Sequence, residues 1–188
     1  MDLIEKAKEY ALSEMDKYGS PDSLLFEISL KKALELAEKL NADKTIVEVG
    51  ACLMDLKLGQ ALSEDKPAEH VKMSSEATQE FLNQFDLDEK IKAKIINCVE
   101  AHHKKIPFTC IEAEICANAD CYRFVHPKGF LRFVNSLGKK SDDFNSALDF
   151  AEEKFNEKLG ILSLDICKEE LKESIENIKK IIEMARKI

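Results

Sequence analysis

Five side chains in the middle third of the chain could hold a metal ion or move a proton. They are two aspartates and three histidines, namely Asp55, His70, His102, His103 and Asp120. Each falls at or near one end of a segment whose apolar residues repeat at helical spacing, or on its inner face. Helical bundles build metal sites from imidazoles and carboxylates that project inward, and this mixture suits hard or borderline divalent ions. The sequence therefore predicts a histidine and aspartate cluster inside a bundle.

Asp55 follows an almost wholly apolar run that begins at Ile46. We expect this run to form a helix that is buried on nearly every side. An ionised carboxylate at its inner end is costly unless it is paired or bound to a metal. Two interpretations are open. Asp55 either has a buried partner elsewhere in the chain, or lies near the surface in the last turn, hydrated or paired with Lys57.

The adjacent histidines His102 and His103 are expected to face different directions. Successive residues of a helix lie about 100° apart, so only one of the two rings can face the pocket. The inward register of Ile95 and Val99 favours His102, with His103 as a cation near the negative end of the helix dipole. A single histidine in an apolar helix is more often a hydrogen-bonded residue than a ligand. The prediction therefore depends on the five candidate residues occurring together. His126, which precedes a proline, is given no role.

The elements that position these residues are all expected to be helices. Only six glycines and four prolines occur in 188 residues, and no long segment alternates apolar and polar residues. Breaks and capping signals predict helices over about 3–18, 23–40, 46–55, 68–85, 89–101, 112–124 and 130–134, a turn over 138–143, and amphipathic helices over about 142–159 and 165–187. The segment 59–67 is predicted to be a loop. We expect one all-α domain over residues 1–188, whose two C-terminal helices cover the core and carry no chemistry.

Composition narrows the classes of partner. A net charge of −8 disfavours duplex nucleic acid, because neutralising phosphates requires a basic face. No apolar run reaches the roughly 20 residues of a membrane span, and the N-terminus is unlike a targeting peptide, so we expect a cytoplasmic protein without membrane contact. The six cysteines include no Cys-x-x-Cys pair, which favours reduced core thiols over a zinc site.

The order of the candidate residues resembles the HD superfamily of metal-dependent phosphohydrolases. That family has a first histidine, a His-Asp pair closing a buried helix, further histidines and a final aspartate. The matching segments here are Asp22-Ser-Leu-Leu25, Val49 to Asp55, Glu69-His70, Ala101-His102-His103 and Asn118-Ala-Asp120. The resemblance covers about residues 1 to 188. It implies a single-domain helical bundle of the HD type, a divalent ion (Mn, Mg, Ni, Fe or Zn), and a nucleotide or other small phosphorylated molecule as ligand.

Two positions depart from the family pattern. Leu25 stands where the family has its first histidine, and Met54 stands where it has the histidine of the His-Asp pair. In the family these two imidazoles and the two aspartates hold the metal. Leucine cannot ligate, and a methionine thioether suits Cu(I) rather than the metals expected here. Of the family's four ligands only Asp55 and Asp120 remain.

Two functions are compatible with this pattern. The departures favour a module that binds a phosphate or nucleotide without hydrolysing it, with metal binding weak or absent. The alternative is an active phosphohydrolase with a displaced metal site built from Asp55, His70, His102 and Asp120, the first three of them catalytic. Lys57 is a candidate for placing an ammonium group in the vacated metal position. A purely structural adaptor would need an exposed apolar stripe, and the oligomeric state is left open.

Overall fold

The computed structural model describes residues 2–139 and 142–187, and within these ranges it is built from helices and connecting turns without a β-strand. The helices are α1 (Leu3–Tyr18), α2 (Ser23–Lys39), α3 (Lys44–Leu53), α4 (Leu58–Ser63), α5 (His70–Leu82), α6 (Glu89–Glu100), α7 (Ile111–Val125), α8 (Pro127–Gly138), α9 (Phe144–Ile161) and α10 (Asp165–Ala185). A 3₁₀ turn over Pro67–Glu69 precedes α5. The all-α prediction is confirmed.

Helix α7 lies at the centre of the bundle. It packs against α2, α3, α6, α8 and α9, and its residues from Ile115 to Arg123 are all buried. Alanine and cysteine make up much of this stretch, and such small side chains let neighbouring helices approach closely. The second interior helix is α3, which packs against α1, α2, α6 and α7. The end of α3 and the middle of α7 therefore meet in the interior.

Aspartate side chains cap the first turns of α2, α3, α6 and α9. Asp22 accepts hydrogen bonds from the backbone N–H groups of Leu24 and Leu25 at the start of α2. Asp43 caps α3 in the same way, as the sequence predicted. The sequence predicts a capping box at Asp86-Leu-Asp-Glu89, but this is wrong, because the N-cap of α6 is Asp88, whose side chain accepts from the N–H of Lys90. A second capping box, predicted at Thr109-x-x-Glu112, is also displaced, since the N-cap position of α7 is Cys110, whose side chain makes no capping hydrogen bond.

One predicted loop is largely helical, and one predicted short helix is longer than expected. The expected loop over 59–67 contains most of α4, and the short piece expected over 130–134 is the twelve-residue helix α8. Pro127 occupies the first turn of α8, where a missing N–H costs nothing, so it begins a helix rather than only ending one. The turn predicted over 138–143 begins at the last residue of α8, and its positions 140 and 141 lie outside the described residues.

Across the described ranges, each helix is too short or too polar to cross a bilayer. The six cysteines are free thiols, and five of them are buried.

Gly129 allows α8 to start directly against α7. A Cβ atom at this position would lie 2.5 Å from the carbonyl oxygen of Tyr122 and 2.6 Å from that of Arg123. We therefore expect Gly129→Ala to lower the free energy of unfolding by about 1–3 kcal/mol, because backbone atoms cannot move aside cheaply. The measurement is urea denaturation followed by circular dichroism.

Gly160→Ala is the matched control for this prediction. A Cβ at Gly160 in α9 would meet open space, so the helix propensity of alanine should raise stability by up to about 1 kcal/mol. Equal effects of the two substitutions would contradict the close approach of α8 to α7.

Candidate metal centre

Four side chains from three segments meet at the inner end of α3. Asp55 follows α3 directly and is 6% exposed. Its Oδ1 atom lies 3.4 Å from Nε2 of His102 and 3.7 Å from Nε2 of His70. Nε2 of His70 in turn lies 3.2 Å from Nε2 of His103. These four ligand atoms all lie within 4.8 Å of one another.

The spacing of the cluster fits one metal ion. Zinc binds imidazole nitrogen at about 2.0–2.1 Å in a tetrahedral shell, which places neighbouring ligand atoms about 3.3 Å apart. The separations of 3.2, 3.4 and 3.7 Å lie close to that value. Three imidazoles and one carboxylate also form a donor set that zinc, nickel and iron accept.

Each of the three imidazoles has its Nδ1 atom fixed by an oxygen acceptor. In His70, Nδ1 lies 2.6 Å from the carbonyl oxygen of Pro67. In His102 it lies 2.6 Å from the carbonyl oxygen of Val99, and in His103 it lies 2.8 Å from Oε1 of Glu157. An oxygen that only accepts requires the hydrogen on Nδ1, so a neutral ring presents a lone pair at Nε2. Partners of this kind orient the histidine ligands of metal sites.

The lone pairs of the cluster have no hydrogen to share. In the neutral rings Nε2 of His70 and Nε2 of His103 face each other as two acceptors, and Nε2 of His102 is buried without a hydrogen-bond partner. Burial lowers the pKa of His70 and lowers that of His103 to about 4, so both rings are neutral near pH 7. A cation between these atoms would satisfy all three nitrogens.

The expectation that only one of His102 and His103 faces the pocket is wrong. Both rings belong to the cluster. The reason is that α6 ends at Glu100 and the two histidines occupy the turn that follows it. The angular spacing of helical residues therefore does not apply to them.

The second carboxylate oxygen of Asp55 binds an arginine. Oδ2 lies 2.5 Å from Nη2 of Arg123, and the same nitrogen contacts Oδ1 of Asp120 one helical turn earlier in α7. Asp55 is therefore neither hydrated nor paired with Lys57, which instead lies 2.8 Å from Glu14. The proposed role of Lys57 in the vacated metal position is wrong, because the cation beside Asp55 belongs to Arg123.

Asp120 lies between two buried cations, outside the group of ligand atoms. Its Oδ1 faces Arg123, and its Oδ2 lies 2.6 Å from Nζ of Lys158. Burial would raise the pKa of Asp120, but the charges of Arg123 and Lys158 hold it at about 2. The structure thus brings Asp55, His70 and His102 together as candidate ligands and does not bring Asp120 to the same point.

Sequence reasoning missed three charged residues of this region. Arg123 has a local signal, since it follows Asp120 by three positions and these are the two charged residues of the stretch 115–125. Glu157 and Lys158 have none, because an amphipathic helix such as α9 carries many charges. Contrary to the expectation that the C-terminal helices carry no chemistry, α9 supplies the partners of His103 and Asp120.

The two residues that depart from the family pattern are both buried. Met54 is 2% exposed and lines a small cavity of about 10 Å³ together with Asp55 and Arg123. Leu25 lies in the first turn of α2. Neither side chain adds a ligand for the expected metals.

An open groove of about 810 Å³ leads to the imidazole side of the cluster. His70 and His103 are among the residues that line it. Its charged lining residues are three lysines and three glutamates, namely Lys72, Lys105, Lys154, Glu76, Glu100 and Glu157. A small anionic molecule in the groove would thus meet cationic side chains close to the cluster.

No protein-family model matches the chain. Ribonuclease Y of Finegoldia magna is 30% identical over 92 residues, which are 49% of this chain but only 16% of that protein. The chain is thus far shorter than this relative.

Solved structures resemble the whole bundle. Bacillus subtilis YpgQ has a TM-score of 0.67 at 21% identity, over 98% of this chain and 94% of that one. A complex of YpgQ with ADP gives 0.67 at 22% identity, over 100% and 96%. A predicted HD superfamily hydrolase from an uncultured Thermotogales bacterium gives 0.61 at 17% identity, over 81% and 84%. The chain therefore has the HD-domain fold, as its resemblance implied.

Proposed function

We propose that this HD-fold chain is a metal-dependent phosphohydrolase of nucleotides or similar small phosphate esters. Its divalent ion is held by Asp55, His70, His102 and His103. The observation that carries the proposal is the convergence of one ring nitrogen from each of three histidines and one carboxylate oxygen within 4.8 Å. Every one of these imidazoles has its Nδ1 atom fixed by an oxygen. This ligand set differs from the sequence-based one by gaining His103 and losing Asp120.

The chain's own residues have separate tasks in this proposal. An ion at the cluster would polarise a phosphoryl oxygen and make water a stronger nucleophile. Glu157 orients His103 through the Nδ1 hydrogen bond, and the carbonyl oxygens of Pro67 and Val99 orient the other two rings. Lys105 in the groove is placed to meet the negative charge of a phosphate.

The nucleotide class has support from a neighbour and from the groove. YpgQ, which shares the fold, has been solved with ADP. The groove of about 810 Å³ is large enough for a molecule of that size. Because His70 and His103 line the groove and Arg123 is not among its lining residues, a bound phosphate would meet the imidazole side of the cluster.

A binding module without hydrolysis is the second candidate. Zinc sites with four protein ligands are usually structural, whereas catalytic ones keep one position for water or substrate. Asp55, His70, His102 and His103 together could fill all four positions of a tetrahedral ion. Hydrolysis therefore requires an ion that accepts additional ligands, or the release of one of these four.

Calorimetric titration of metal-free protein with Zn²⁺, Ni²⁺ or Mn²⁺ tests the proposal. We expect one ion per chain, and phosphate release from ADP or p-nitrophenyl phosphate only when the ion is present. His126→Ala is the matched control, because this histidine lies outside the cluster, and it should leave the stoichiometry at one. One bound ion without phosphate release would support the binding module instead. Absence of metal binding would overturn the phosphohydrolase and leave the module without a metal ion, as the departures at Leu25 and Met54 favour.

A further inference from the structure

Asp55 and Asp120 face each other across a guanidinium group. Nη2 of Arg123 contacts Oδ2 of Asp55 and Oδ1 of Asp120. Both carboxylates and the arginine are almost fully buried. Two carboxylates that are buried close to each other need a positive charge between them, because their mutual repulsion is only weakly screened in the protein interior.

The charges of this buried group balance without an added ion. Arg123 and Lys158 contribute two positive charges, and Asp55 and Asp120 contribute two negative ones. Asp55 divides its two oxygens, since Oδ2 faces Arg123 while Oδ1 faces the imidazoles of His70 and His102. Asp120 thus has a cation at each of its oxygens, whereas Asp55 has one at Oδ2 and turns its Oδ1 toward the imidazole cluster.

An arginine suits this position better than a metal does in this chain. A guanidinium stays charged at every relevant pH and presents a planar set of donors that matches carboxylates. Met54, which lines the small cavity beside Asp55 and Arg123, offers a thioether that hard cations do not accept. A divalent ion here would have only the two aspartates and water as ligands.

We infer that Arg123 is a built-in cation that occupies the space between Asp55 and Asp120 and so limits the protein to one divalent ion. This inference rests on the proposed metal centre for the position of that single ion. Arg123 is a positioning residue. It holds Oδ2 of Asp55, which turns Oδ1 toward the imidazoles, and it keeps a second ion out.

Removal of the guanidinium should create a second cation site. In metal-free Arg123→Met protein, the two carboxylates keep Lys158 as the one cation of the buried group. Mg²⁺ is the probe, because it prefers oxygen ligands and binds imidazole clusters poorly. If Mg²⁺ binds with a Kd of about 1 mM, we expect 10 mM Mg²⁺ to raise the Tm of Arg123→Met by about 3–5 °C. It should change the Tm of the natural chain by less than about 1 °C.

Arg132→Met is the matched control. Arg132 forms an ion pair with Asp22, with an Nη2 to Oδ2 distance of 2.6 Å, at a position that is about one third exposed, and neither residue belongs to the cluster. Its removal should give no response to Mg²⁺. A second variant, Arg123→Gln, keeps hydrogen-bond donors without the charge and should respond to Mg²⁺ as Arg123→Met does. If an Arg123 variant is unfolded without the ion, its refolding with and without Mg²⁺ is compared instead of its Tm.

The outcomes separate this inference from the proposed function. Zn²⁺ or Ni²⁺ binding by the natural chain tests the imidazole cluster, and Mg²⁺ binding by the Arg123 variants tests the carboxylate pair. A gain of Mg²⁺ response in both Arg123 variants, in stability or in refolding, supports the inference even if the natural chain binds no Zn²⁺. Failure of both variants to respond to Mg²⁺ overturns it.

Discussion

Asp120→Ala is expected to lower the free energy of unfolding by about 3–5 kcal/mol. The substitution leaves Arg123 and Lys158 as buried cations without the carboxylate that lies between them, and an uncompensated buried charge is strongly destabilising. Asp120 is 0% exposed, Lys158 2% and Arg123 5%, so water cannot replace the lost partner. Urea denaturation at pH 7 measures the effect.

Glu152→Ala is the control for this loss. Glu152 also pairs with an arginine, since its Oε2 lies 2.5 Å from Nη2 of Arg186, but both side chains are more than one third exposed. Such a pair contributes little, so the free energy of unfolding should change by no more than about 0.5 kcal/mol. Similar losses in the two variants would mean that burial of the Asp120 group does not matter.

The stability that the charge of Asp120 contributes should decrease as the pH falls. The pKa of Asp120 is held at about 2 in the folded protein, below its ordinary value of 3.8. Its stabilising charge is therefore fully present above about pH 4 and is lost as the pH falls toward 2. The stability difference between the natural chain and Asp120→Asn should shrink over that range. A difference that stays constant from pH 5 to pH 2 would contradict the assigned pKa.

His102→Ala is expected to weaken Zn²⁺ binding by more than about 100-fold and to abolish any metal-dependent phosphate release. His102 is fully buried, its Nδ1 is fixed by the carbonyl oxygen of Val99, and its Nε2 faces Asp55. The variant removes one of the four candidate ligands, and even a lost partner of a ligand commonly costs 10–100-fold in affinity. Competition titration against a chelating dye measures the change.

Glu157→Ala provides a graded comparison with His102→Ala. Glu157 does not reach the cluster itself but accepts a hydrogen bond from Nδ1 of His103, so its loss should weaken Zn²⁺ binding by about 10–100-fold. His126→Ala should have no effect. If His102→Ala binds Zn²⁺ as tightly as the natural chain does, His102 is not a ligand.

Local signals explain why the order of the helices could be predicted. Aspartate caps such as Asp22 and Asp43 and apolar residues at helical spacing act over a few residues, and the sequence shows both directly. The missed helix α4 and the underestimated helix α8 had weaker signals. Helix α4 is only six residues long, and Pro127 reads equally well as a break or as a first turn.

The sequence predicts those residues of the candidate site that are possible metal ligands and also lie at a predicted helix end. Asp55, His70 and His102 are rare polar groups at such ends, so the sequence indicates them and the structure brings them together. The inclusion of His103 depends on α6 ending at Glu100, which the sequence leaves uncertain by a few residues. The pairing of Asp55 with Arg123 depends on the packing of α3 against α7, which no local pattern encodes.

Helix α9 mechanically couples the two sides of the site. Glu157 and Lys158 are consecutive residues, yet the first holds His103 and the second holds Asp120. A helix moves as a rigid unit over such short distances, so a shift of α9 along its axis would loosen the imidazole cluster and the buried ion pairs together. Amide exchange in α9 should therefore report on both at once, and an ion bound at the cluster should slow it.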